Sequence, residues 1–94
     1  IMELEPATSV EREIALVRVS TERQKRSDVL EVATLFDAVA VDVGVATIMF
    51  MVAGAPDKVN DFVELVRPYG IVDLVKSGRV ALSRDQKSRK LRAS

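Results

Sequence analysis

A guanidinium, a phenol and a flexible backbone meet in Arg67-Pro68-Tyr69-Gly70, the densest grouping of chemically able side chains in the sequence. Arg67 stands next to the only Tyr, where a helix hands over to a strand, and such a pair can recognise a partner. Equally, Pro68 and Gly70 can simply stop the helix while Tyr69 packs its ring. Glu11, Glu13 and Asp42 are the carboxylates one would ask for acid–base or metal chemistry, but nothing in their spacing makes them converge. The 94 residues contain neither His nor Cys, so the usual zinc ligand sets, thiol catalysis, disulfides and histidine triads are excluded. Gly54, Gly70 and Gly78 are isolated turn glycines, with no glycine-rich phosphate cradle around them. No catalytic, cofactor-binding or metal-ligating residue is therefore assigned, and no cofactor is expected.

These side chains need elements to hold them. Residues 13–19 (EIALVRV) read as a strand with Ala15, Val17 and Val19 on one face and Ile14, Leu16 and Arg18 on the other. Thr21 and Gln24 are spaced as a capping box for a helix over about 22–37, whose apolar stripe is Val29, Val32, Ala33 and Phe36. Val39, Val41 and Val43 alternate with Ala40 and Asp42 as a second strand, and 47–53 (TIMFMVA) form a third. Pro56 at a first helical position and Asp57 at the positive dipole end open a second helix over about 56–67. Residues 71–76 are a fourth strand, which 79–82 can continue beyond a bend at Ser77 and Gly78. Across the sheet, Arg12 and Arg18 can pair with Asp42 or Asp73.

The order β-α-β-β-α-β defines an α+β, ferredoxin-like (ACT-like) sandwich, an antiparallel sheet with both helices on one face. Its other face ought to be polar in an isolated domain. Instead, strand three places Ile48, Phe50 and Val52 on one side and Met49, Met51 and Ala53 on the other, and strand one repeats the conflict. A contiguous apolar patch of this kind marks an interface. The expected occupant is a second copy or a partner subunit, with Ile14, Leu16, Met49 and Met51 on the contact face. The alternative is that the linker or the C-terminal segment folds across it.

Fourteen basic and fourteen acidic residues cancel, but unevenly: 1–82 carry nine Lys/Arg against thirteen Asp/Glu, and 83–94 carry five against one. The domain organisation read from this is a linker over 1–10, a globular domain over 11–83 and a basic tail over 84–94. The tail holds Arg84 and Lys87 with no interleaved aromatic ring, so it reads as a solvated end or as a docking arm for an acidic surface, not as a nucleic-acid reader. No stretch approaches the ~20 apolar residues of a membrane span, and no signal peptide is evident. Nucleic acid and membrane are thus not expected partners.

Three segments resemble a known family: VEREIALVRV at 10–19, RSDVLEVATLFDAVAVDV at 26–43 and ELVRPYGIVDLVKSGRVALSR at 64–84. Together they resemble the C-terminal domain of the acetolactate synthase (acetohydroxyacid synthase) small, regulatory subunit, over about residues 10–84. Strand three departs from that family's more alternating pattern by an extra apolar residue. The resemblance implies a non-catalytic domain that binds and activates a thiamine-diphosphate-dependent large, catalytic subunit in branched-chain amino acid biosynthesis, and that forms a homodimer. It also implies a cytoplasmic location, or the plastid stroma in a plant. In that family an upstream ACT domain carries the branched-chain amino acid effector loop, so no effector residue transfers to a position here. Partner contacts are expected at Arg67, Tyr69, Gly70, Arg84 and Lys87. The competing reading is a free-standing ACT-like dimer that senses an amino acid.

Overall fold

The computed structural model describes residues 8–85. In chain order the elements are β1 (Ser9–Ser20), α1 (Arg26–Leu35), β2 (Val39–Val43), β3 (Thr47–Gly54), α2 (Pro56–Val66), β4 (Ile71–Lys76) and β5 (Val80–Ser83), with a single 3-10 turn at Arg67–Tyr69. The sheet runs β2-β3-β1-β4, every neighbour antiparallel, and β5 pairs with the beginning of β1. This is the expected ferredoxin-like fold.

Period-two alternation sets the inside of the sheet. Ala15, Val17 and Val19 of β1 lie opposite Val52, Phe50 and Ile48 of β3, and all six are buried beneath the helices. Above them α1 contributes Val29 and Ala33, and α2 contributes Val59, Phe62, Val63 and Val66. Phe62 is the hub, since its ring meets Phe36 at 5.7 Å and Phe50 edge-on at 5.9 Å between centroids. Pro56 and Asp57 open α2 as the sequence indicates.

The capping box is not formed. α1 begins at Arg26, with Lys25 as its N-cap and no side-chain cap, because Thr21 is held at the β2–β3 turn: its N–H donates to the Ala46 carbonyl at 2.8 Å and its hydroxyl accepts from Arg26 at 3.3 Å. Arg23 and Gln24 then turn the chain with φ of 61° each. Arg26 also donates to the carbonyls of Gly44 (2.7 Å) and Val45 (2.9 Å), fastening the β2–β3 turn to the start of α1. At the other junction the 3-10 turn ends on Gly70, whose φ of 106° only glycine takes without strain, and whose carbonyl accepts from the Ser20 N–H at 2.8 Å.

β1 is longer than the sequence reading made it. It begins at Ser9, so Ser9 and Val10, assigned above to the linker, belong to a strand. The reason is β5: Ser9, Val10, Glu11 and Arg12 pair with Ser83, Leu82, Ala81 and Val80. β3 stops at Gly54, opposite Glu13, so this pair overhangs the four-stranded body as a ribbon. The bend at Ser77 and Gly78 keeps β4 and β5 on the same edge of β1, with the Ser77 N–H donating to the Ile14 carbonyl at 2.9 Å.

Candidate interaction surface

The helix-free face of the sheet is built in cross-strand rows. Opposed residues of antiparallel strands point to the same side, so the register assigns each row directly. One row is apolar over all four strands: Val39, Met51, Leu16 and Val75. Their exposures are 53%, 36%, 40% and 63%, so this stripe is open to water in the protomer. Below it lie Ala53 and Ile14, then Val80 beside Arg12, then Leu82 beside Val10 on the ribbon. Val80, Leu82, Val10 and Arg12 line a shallow hollow of about 410 Å³.

Above the apolar row runs a charged one: Asp42, Met49, Arg18 and Asp73. Arg18 donates to Asp73 at 3.0 Å and to Asp42 at 3.3 Å, the pairing anticipated for it. Two β-bulges adjoin this row. Val41 is the extra residue in β2 and Val72 in β4, at register shifts that fall between Ala40 and Asp42 and opposite Arg18 and Val19. In β2 an unbulged ladder would turn Asp42 toward the helices, and the insertion of Val41 returns it to the water side next to Arg18, whereas Asp73 already shares that side with Val75 and the insertion of Val72 returns Ile71 to the core.

The sheet-face candidates are therefore found together. Ile14, Leu16 and Met51 are exposed on the open face and Met49 is half-buried on it. Sequence reasoning missed Val39, Val75, Val80 and Leu82, whose place on the face depends on strand register and on the β1–β5 pairing. The partner-contact candidates do not form one patch. Arg67 is exposed and held by Glu64 at 2.9 Å, Tyr69 is half-buried against the core with the Lys25 ammonium 5.8 Å from its ring centre, and Gly70 abuts Ser20 at the end of β1. Arg84 lies beyond the opposite end, its N–H donating to the Thr8 carbonyl at 2.7 Å. At ~3.3 Å per residue, β1 separates these two groups by about 36 Å. Lys87 lies outside the described residues.

The carboxylates scatter. Glu11 pairs with Arg79 on the ribbon at 3.4 Å, Glu13 is buried in β1, and Asp42 is on the open face. Arg12 donates to the Glu11 carbonyl at 2.7 Å and meets neither aspartate named for it. Among the described residues no group of His, Cys, Asp or Glu could hold a metal ion, and no helix is long and apolar enough to cross a membrane. Among the described residues Glu64 is displaced in titration, its carboxyl held below the ordinary range by the hydrogen bonds and charge of Arg67.

Fold and face together define a ferredoxin-like α+β domain whose distinctive chemistry is a broad apolar sheet surface and not a reactive cluster. Residues 12–85 match the family model for the small subunit of acetolactate synthase, and the chain belongs to that family. The family is that of the regulatory small subunit, not the catalytic one. A probable acetolactate synthase small subunit from Archaeoglobus fulgidus is 41% identical over 80 residues, which cover 85% of this chain and 50% of that protein. The acetolactate synthase small subunit of Aquifex aeolicus is 36% identical over 86 residues, covering 90% and 45%. The crystal structure of the small subunit from Thermotoga maritima superposes with a TM-score of 0.81 at 25% identity, over 89% of this chain and 52% of that one. The chain thus spans about half the length of the relatives it matches.

Proposed function

We propose that this chain is the C-terminal domain of a regulatory subunit that binds the large, catalytic subunit of acetolactate synthase, raises its activity in branched-chain amino acid biosynthesis, and self-associates. Its role is to contribute binding free energy, leaving thiamine-diphosphate chemistry to the partner. The observation that carries this reading, beside the family, is the open apolar row from Val39 to Val75, which an isolated domain has no reason to keep. A domain of this kind alters its partner only by binding one of the partner's conformations better than another. The strand-end loops, the Arg67–Gly70 turn and the basic tail are the proposed contacts with the large subunit. Since the turn and Arg84 lie beyond opposite ends of β1, a partner touching both must run the length of the domain. The family relatives come from bacteria and archaea, which suits a cytoplasmic partner. Effector binding is assigned to the ACT domain that precedes this region in the family.

The test is to mix the chain with a cognate large subunit and follow co-elution and turnover. Co-elution with raised turnover is expected. Absence of both complex formation and activation, at concentrations of tens of micromolar, would overturn the docking role.

A further inference from the structure

Where the ribbon overhangs the body of the sheet, a hollow of about 280 Å³ opens between β1 and the start of α2. β3 has ended at Gly54, so no strand fills the place beside the first residues of β1. Glu11 and Arg12 line one side, Pro56 and Asp57 the other, and Arg79 and Arg84, which flank β5, complete the lining.

Hydrogen-bond donors dominate this hollow. Ile14 uses its backbone on the β5 side, where it exchanges hydrogen bonds with Ser77, and the Thr8 carbonyl accepts from Arg84 on the same side. Backbone groups alternate from edge to edge along a strand, so Glu11 turns its N–H and C=O toward the open side. Arg12 covers that carbonyl at 2.7 Å, and the Glu11 N–H is left as the free edge. α2 adds the N–H groups of its first turn, since Ala55 provides no side-chain cap. Three guanidiniums stand against the two carboxylates of Glu11 and Asp57. Arg79 holds Glu11 at 3.4 Å with its own side chain 64% exposed, a pairing that an incoming carboxylate can share at little cost. Among the described residues no carboxylate pairs with Arg84.

Size and spacing select the kind of anion. The hollow is smaller than the ~300–1,000 Å³ of ordinary small-molecule pockets. Arg79 and Arg84 leave the backbone about 16 Å apart at ~3.3 Å per residue, a span that about five extended residues match and a single phosphate does not. The positive excess of the chain begins at the same place, because residues 83–94 carry five Lys/Arg against one Asp/Glu while 1–82 carry nine against thirteen. An acidic segment is therefore attracted to this end of the domain and repelled by the rest.

We infer that an acidic, extended segment of the large, catalytic subunit lies in this hollow, along the line that β3 leaves open beyond Gly54, with carboxylates on Arg79 and Arg84 and a main-chain carbonyl on the Glu11 N–H. This rests on the docking role in the proposed function, and gives that role a place and a chemistry. In strand addition of this kind main-chain bonds supply affinity and side chains supply specificity.

The probe is the cognate large subunit, titrated calorimetrically with the whole chain at low and high salt. Arg79→Gln with Arg84→Gln is expected to weaken the complex roughly tenfold or more at low salt and to flatten its salt dependence, with circular dichroism retained. Arg79→Lys with Arg84→Lys keeps the charge and is expected to restore the salt dependence with part of the affinity. Unchanged affinity in the glutamine variant overturns the inference and leaves the docking role standing. Failure of the unmodified chain to bind removes the docking role, and this inference with it. Two other occupants give distinct results. If millimolar inorganic phosphate raises the melting temperature of the chain alone, and the glutamine variant loses that rise yet binds the large subunit as before, the hollow is a small-anion site. If the glutamine variant lowers the melting temperature of the chain alone, and Glu3→Gln with Glu5→Gln lowers it equally and without additivity, the hollow takes the chain's own acidic beginning. Either result overturns the assignment to the large subunit.

Discussion

Replacing Phe62 with Leu tests the core where the three layers of contact meet. Phe62 is fully buried, and it touches Phe36 after α1 and Phe50 in β3, so the only three phenylalanines of the chain form one chain of rings. Leu fills much of the space but makes neither ring contact. Two aromatic pairs at ~0.5–1.5 kcal/mol each, with ~1 kcal/mol for imperfect refilling, give a loss of about 2–4 kcal/mol. A domain of this length holds roughly 5–14 kcal/mol in all, so the variant should fold with visibly reduced stability. At ~4–8 °C per kcal/mol the melting temperature should fall by about 8–30 °C. The assay is urea and thermal unfolding followed by circular dichroism, with variant and parent at one protein concentration, because self-association would make the midpoint depend on it. A loss below ~0.5 kcal/mol, the range of an inconsequential surface change, would refute Phe62 as the joint between helices and sheet.

Two further outcomes follow from the charges. In a double-mutant cycle of Arg18→Met with Asp73→Asn, the coupling should be about 0.5–1 kcal/mol and should shrink in high salt, since both partners reach water at 28% and 65% side-chain exposure. A coupling indistinguishable from zero at low salt would mean that the Arg18–Asp73 pair adds nothing to stability. Glu64 should titrate below an ordinary glutamate in nuclear magnetic resonance, and Arg67→Gln should raise it to the ordinary value. Because its folded value is the depressed one, its small stabilising effect is present above the unfolded value and lost as pH falls through the folded one. An unchanged Glu64 titration in the variant would show that Arg67 is not its partner.

How much of this was readable beforehand depends on the range of the interaction. Alternation in 13–19 and 47–53 assigned both faces of β1 and β3 correctly, because side-chain direction in a strand is a local, period-two property. Pro56 and Asp57 placed the start of α2 for an equally local reason. The capping box failed because Thr21 and Gln24 were judged on spacing alone, while the Thr21 hydroxyl and N–H were taken by Arg26 and Ala46 from elsewhere in the fold. In β2 the simple alternation of valines broke down for a similar cause. The bulge at Val41 is set by what lies across the ladder, and it is what places Asp42 beside Arg18.

The amino-acid sequence by itself determined the element order, the inner face of the sheet and the presence of surplus apolar residues on its outer face, since each follows from composition and periodicity within a dozen residues. Only the tertiary structure decided which residues share that outer face. Register shifts opposite Arg18, and the pairing of Val80–Ser83 with the first residues of β1, join positions up to some seventy residues apart, and no local preference encodes such a choice. Side chains cross from one face to the other with each one-residue slip, so the surface offered to a partner was settled when the strands came together.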